Sequence, residues 1–143
     1  MKRLIILLAM LLPLSAIAQT PTFESLLKEY SLKEECTTIN ISNAMLKSMA
    51  VNIDAEYMQV IAVENKNLIE TFHSQALEAL SEFDVIMSVN SGGKSVQIYQ
   101  CSDDKGSVVD IYMMSYSGDE CVLMHITGKN LELNSISSIM DNM

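Results

Sequence analysis

The chain has no tryptophan, two prolines, five glycines and three cysteines in 143 residues. So little proline and glycine excludes a collagen-like repeat or a low-complexity linker. Three cysteines, Cys36, Cys101 and Cys121, exclude a disulfide scaffold, because an odd count permits one internal bridge at most. Whether Cys36 pairs with Cys101 or with Cys121 stays open at the level of sequence. Histidine occurs twice, at His73 and His125, with no His-x-x-x-His or Cys-x-x-Cys spacing, so no metal ligands are assigned. No Gly-x-Ser-x-Gly elbow is present either.

Long apolar runs are scarce as well. Leu4 to Leu12 is the longest, and it is about half of the ~20 residues a membrane-spanning helix needs. Lys2 and Arg3 precede it, Pro13 breaks it, and Ser15-Ala16-Ile17-Ala18 supplies a small-x-small cleavage pattern. This is a signal peptide removed after Ala18, which leaves residues 19–143 as one domain exported to the periplasm or beyond. No cysteine follows the cleavage point, where Gln19 stands, so neither a lipid tether nor a span in the mature chain is expected.

Cleavage removes Lys2 and Arg3, the only arginine. Of nine basic residues seven remain against 18 acidic ones, and the net charge moves from −9 to −11. An acidic chain without guanidinium groups repels phosphate backbones and anionic bilayers, so nucleic acid is excluded as a partner.

What is there is alternation. From Phe83 to Gly128 four alternating runs are separated by Gly92-Gly93, Asp103-Asp104-Lys105-Gly106 and Gly118-Asp119, which predicts an antiparallel meander. The first turn sets Val89 opposite Val96 and Met87 opposite Ile98. Closing Ser102 on Ser107 puts Tyr99 opposite Asp110 and Cys101 opposite Val108. The third turn pairs Met113 with Met124, Ile111 with Ile126 and Tyr112 with His125. One face then carries Phe83, Val85, Met87, Val89, Ile98, Ile111, Met124 and Ile126, and is expected to be core. The other carries Ile86, Tyr99, Asp110, Tyr112, Met114, Tyr116, Leu123 and His125, too apolar for open water.

Upstream, Thr20-Pro21 reads as a helix start, with Phe23, Leu26, Leu27 and Tyr30 as the apolar stripe. Cys36–Ile41 and Met58–Val63 read as strands of undetermined order. Ser42 caps a helix bearing Met45, Leu46 and Met49. Asn65–Glu82 reads as the longest helix, and Leu133, Ile136 and Met140 mark a last one. The fold class expected is α+β: a mainly antiparallel sheet with a four-stranded C-terminal meander (83–128) packed against about four helices. Whether helices cover both faces is not fixed by the pattern.

With TFESLLKEYS, TTINISNAMLKSM and HITGKNLELNSISSIM laid out, the chain resembles an uncharacterised family of small exported Bacteroidetes proteins known as a domain of unknown function. The resemblance implies an α+β domain of a Gram-negative envelope, and carries no catalytic or ligand residues with it.

Candidate chemistry is thin. The three cysteines with His73 or His125 as base lack a local motif, and buried structural thiols are the commoner case. Asp103, Asp104 and Asp110 lack the alternating oxygen ligands of a calcium loop. Nine methionines outside the leader raise copper(I), yet they fall on helical and strand stripes that fill cores. No catalytic residue, metal or cofactor is assigned, and the chain is not expected to be an enzyme. The expected function is an exported binding or interaction protein, engaging a ligand, a protein partner or a second copy of itself. It would act through Tyr99, Tyr112, Met114, Tyr116, Leu123 and His125, on the outer face of the meander or in a cleft beside it. An envelope regulatory or stress-response component is the second expectation, and an unrecognised hydrolase or transferase the third.

Overall fold

Six segments pair into one sheet in the computed structural model, which describes residues 20–48, 55–129 and 131. The strands are β1 (Cys36–Ser42), β2 (Ala55–Val63), β3 (Asp84–Ser91), β4 (Lys94–Ser102), β5 (Val108–Tyr116) and β6 (Cys121–Gly128). Their spatial order is β1-β2-β6-β5-β4-β3, and every neighbouring pair is antiparallel. Three helices accompany them: α1 (Phe23–Tyr30), α2 (Asn43–Ser48) and α3 (Ile69–Ala79).

The expectation of a four-stranded meander against about four helices is therefore corrected. The sheet has six strands, and three short helices occur among the described residues. The reason lies in β6, which has apolar residues on both faces and cannot serve as an open edge. It accepts β2 as its second neighbour, with Val60 opposite Met124 and Ile61 opposite Leu123. The leader expected at 1–18 and the helix expected around Leu133, Ile136 and Met140 lie outside the described residues.

Two of the three turns act as their residues dictate. Gly92 and Gly93 have φ of 56° and 82°, the left-handed pair that a tight primed turn requires. They set Val89 opposite Val96 and Met87 opposite Ile98. Ser117 donates its N–H to the Glu120 carbonyl across Gly118-Asp119, and Ile111 then meets Ile126.

The middle turn differs. One Asp103 carboxylate oxygen accepts the N–H groups of Lys105 and Ser107, and Asp103 N–H bonds the Ser107 carbonyl. This captured loop makes Ser102 face Val108, and a bulge then sets Cys101 opposite Asp110 and Tyr99 opposite Tyr112. Tyr99 does not face Asp110. The slip amounts to two residues, so side chains keep their faces.

A second bulge, between Val85 and Met87, does exchange faces. Val85 pairs with Tyr99, Phe83 packs beside Tyr112, and Ile86 joins the cluster around Ile98. The expectation that placed Phe83 and Val85 on the face of Ile98, and Ile86 on the face of Tyr99, is reversed there.

Two apolar clusters result, one on each face. Beneath α1 and α3 lie Phe23, Leu26, Tyr30, Ile61, Phe72, Leu80, Tyr112, Met114 and Leu123. On the opposite face Leu46 of α2 joins Met58, Val60, Ile98, Ile111, Met124, Ile126 and Leu131. The face bearing the tyrosines is thus the one that two helices cover. Val85, Met87 and Val89 of edge strand β3, expected in the core, are 53%, 41% and 48% exposed.

Helix α1 starts at Phe23 rather than Pro21, because Thr22 and Ser25 form a reciprocal capping box. Its Tyr30 packs edge-on to Phe72 of α3 at 4.7 Å and donates its hydroxyl to Gln75 at 2.7 Å. These contacts join the end of α1 to the middle of α3, while the start of α1 and the end of α3 border one cleft.

All three cysteines are unbridged. Cys36 and Cys121 both pair with Val63, from opposite sides, which separates them by two strand spacings, about 10 Å. Cys101 faces Asp110 and Cys121 faces Tyr116, six residues further along β5 or about 20 Å. Both spans exceed the ~7 Å limit for a disulfide. Burial pushes the enclosed Cys121 thiol up to about 12. In the native protein a thiol reagent should label Cys36 and Cys101, and reach Cys121 after denaturation. Rapid labelling of Cys121 in the native state would contradict this packing.

Candidate functional site

Where α1 begins and α3 ends, the helices leave part of the sheet uncovered. The opening is a cleft of about 410 Å³. Its wall on one side is Thr20–Glu24, on the other Glu78–Leu80 with Glu82 and Phe83, and its floor is Gln59, Tyr112 and His125. Tyr112 stacks against Phe83 at 4.9 Å and against His125 at 4.3 Å, with interplanar angles of 14° and 6°. Phe23 tilts over His125 at 5.0 Å. Cross-strand pairing of Tyr112 with His125 builds this stack.

His125 is 7% exposed, and its Nε2 lies 2.8 Å from Asp110 Oδ1. A carboxylate only accepts, so Nε2 carries the proton, and in the neutral ring Nδ1 is left as an acceptor. That Nδ1 is enclosed and has no hydrogen-bond partner. An unmatched buried acceptor is costly, and the ring that carries it belongs to the cleft floor.

The six residues singled out from sequence are distributed along this face. Tyr112 and His125 reach the cleft. Tyr99 is 6% exposed, pairs across from Tyr112 and donates its hydroxyl to Gln97 at 2.6 Å. Met114 and Leu123 are fully buried under α1 and α3. Tyr116 lies at the other end of α3, stacked on His73 at 3.9 Å, with its hydroxyl donating to Glu70. Desolvation lowers the His73 pKa, with Glu70 opposing.

Phe23, Phe83, Asp110, Glu78 and Glu82 were not among those six. Asp110 carried a signal: two residues before Tyr112 on one strand, it lies diagonal to His125. The glutamates carried none, because only the packing of α3 brings them to the cleft.

Metal and thiol chemistry find little here. No group of three His, Cys, Asp or Glu side chains able to hold a metal occurs among the described residues. Asp103 is spent on its own loop and Asp110 on His125. Burial raises the pKa of Cys36, Cys101 and Cys121 alike, the reverse of an activated nucleophile. No helix among the described residues is long and apolar enough to cross a membrane.

All five tyrosines are held above the ordinary phenol value. Burial pushes Tyr30 up to about 12 and also raises Tyr57, Tyr99 and Tyr112, while the bond to Glu70 does this for Tyr116. A group whose folded pKa is raised stabilises the fold below its unfolded value, and that contribution is lost as pH climbs. Stability should therefore fall from about pH 10 upward. Absorbance titration at 295 nm should show native tyrosines ionising later than in the denatured chain. Coincident curves would contradict this.

No curated protein and no solved structure matches the chain. Residues 30–139, well over half of its length, match the family model described as a domain of unknown function, DUF4252, and the chain belongs to that family.

Proposed function

We propose that this chain is an exported, non-catalytic binding protein whose site is the cleft between the start of α1 and the end of α3. One observation carries the reading: His125, part of the cleft floor, has its Nε2 held by Asp110 and its buried Nδ1 left without a partner. The volume lies within the roughly 300–1,000 Å³ of ordinary ligand pockets. Export rests on the charged start, the short apolar run and the Ser15–Ala18 cleavage pattern.

Ala79 closes α3 and lines the cleft, so Ala79→Trp fills the space while leaving the sheet intact. A fragment library added to labelled protein should shift the amides of Phe23, Phe83, Tyr112 and His125, and those shifts should vanish in the variant at unchanged melting temperature. Fragments that bind elsewhere, or that leave those amides unmoved throughout, would refute the cleft as the site.

A second reading draws on the same pair, with His125 as a general base oriented by Asp110 in a hydrolase or transferase. Its weakness lies with the nucleophile. None of the three thiols is placed in an activating environment beside His125.

A further inference from the structure

We infer that the cleft selects a small organic cation, an amine or amidine N–H group carried on a flat apolar body. The inference rests on the cleft being the binding site, and adds the chemistry of what enters it.

Three carboxylates, Glu24, Glu78 and Glu82, stand on the rim, and among the described residues no lysine or arginine lines the cavity. Among the described residues the lysine ion pairs are Lys33 with Glu29 and Lys66 with Asp119, neither of which reaches the rim. Glu24 lies in the first turn of α1, where the helix dipole favours an anion. Glu78 and Glu82 lie at the opposite kind of end. The C-terminus of α3 already presents partial negative charge, and its last turn has no basic residue. Two carboxylates there are mutually unfavourable with the dipole until a cation joins them.

The interior agrees with the rim. In the neutral ring His125 Nδ1 accepts, so what completes it is a donor such as an ammonium or amidinium N–H. The rings of Phe83 and Phe23 on the cleft walls suit a flat body and the positive charge it carries. An anion finds no equivalent welcome. At the start of α1 the capping box engages the Thr22 and Ser25 amides, and the Glu24 carboxylate in the same turn repels an anion.

Isothermal titration of the purified protein with four probes of one shape tests this: benzylamine, benzyltrimethylammonium, benzyl alcohol and benzoate. Benzylamine should bind about tenfold more tightly than the alcohol or benzoate, the size of one charge-assisted hydrogen bond. Benzyltrimethylammonium, which has the charge without the N–H, should fall between. The exposed pair Glu78→Gln with Glu82→Gln should remove most of the benzylamine advantage and leave benzyl alcohol unchanged.

Equal binding of all four probes, abolished by Ala79→Trp, would overturn the cation selection and leave the cleft as the site. Benzoate binding best, or quaternary ammonium matching benzylamine, would overturn the charge or the donor to His125 respectively. No heat with any probe would count against both the cation and the cleft.

Discussion

Phe72→Ala is expected to destabilise the protein by about 3–5 kcal/mol, the usual cost of emptying a buried phenylalanine site. Phe72 is 0% exposed and is where α3 meets α1, its ring edge-on to Tyr30. The cavity cannot be refilled by local collapse. Its surroundings are a sheet on one side and a helix tied by the Tyr30–Gln75 hydrogen bond on the other. Helix α3 also carries the chain from β2, inside the sheet, to β3 at its far edge, so loosening it affects both ends of the meander. A loss of this size is a large part of the 5–15 kcal/mol that typical domains possess, and corresponds to a fall in Tm on the order of 10–20 °C. Urea denaturation followed by circular dichroism measures it. A change below about 1 kcal/mol would show that α3 does not cover the sheet as described.

Leu123→Asp should prevent folding altogether, whereas Val89→Lys should change stability by no more than about 0.5 kcal/mol. Both positions are apolar and both belong to the meander, but they lie on opposite faces. Leu123 is 0% exposed beneath the helices, so an aspartate there loses the packing of a core leucine and buries a carboxylate with no cation nearby. Together these amount to about 5 kcal/mol or more. Val89 is 48% exposed on edge strand β3, where a lysine stays in water and also discourages edge-to-edge pairing. Equal damage from both substitutions, or the reverse order, would contradict the burial of Leu123 and the exposure of the β3 edge.

That contrast shows what alternation can and cannot convey. The period of two marks two faces, and the turns at Gly92-Gly93 and Gly118-Asp119 fix the pairs Val89–Val96 and Ile111–Ile126. Side chains keep their faces through the β4–β5 loop because the loop captured by Asp103 and the bulge beside it together slip the register by two. The bulge at Ile86 has no glycine to announce it, and it turns Phe83 into the cleft and Val85 toward Tyr99.

Which face the helices cover depends on how α3 crosses from β2 to β3, and that is decided by long-range packing rather than by any local pattern. The same crossing explains how far the site was legible. Tyr112 opposite His125 follows from a turn, and Asp110 lies within the same few residues. Glu78, Glu82 and Ala79 become neighbours of that pair through tertiary packing, since α3 alone shows them as an ordinary solvated helix end.

The most direct measurement is the nitrogen-15 chemical shift of the His125 side chain, with and without benzylamine. In the free protein Nε2 should appear as the protonated nitrogen facing Asp110, and Nδ1 as a bare acceptor. On binding, the Nδ1 resonance should move in the direction of a newly accepted hydrogen bond while Nε2 stays in place. An Nδ1 resonance unmoved at saturating benzylamine would contradict the claim that the cleft's unmatched acceptor receives the ligand.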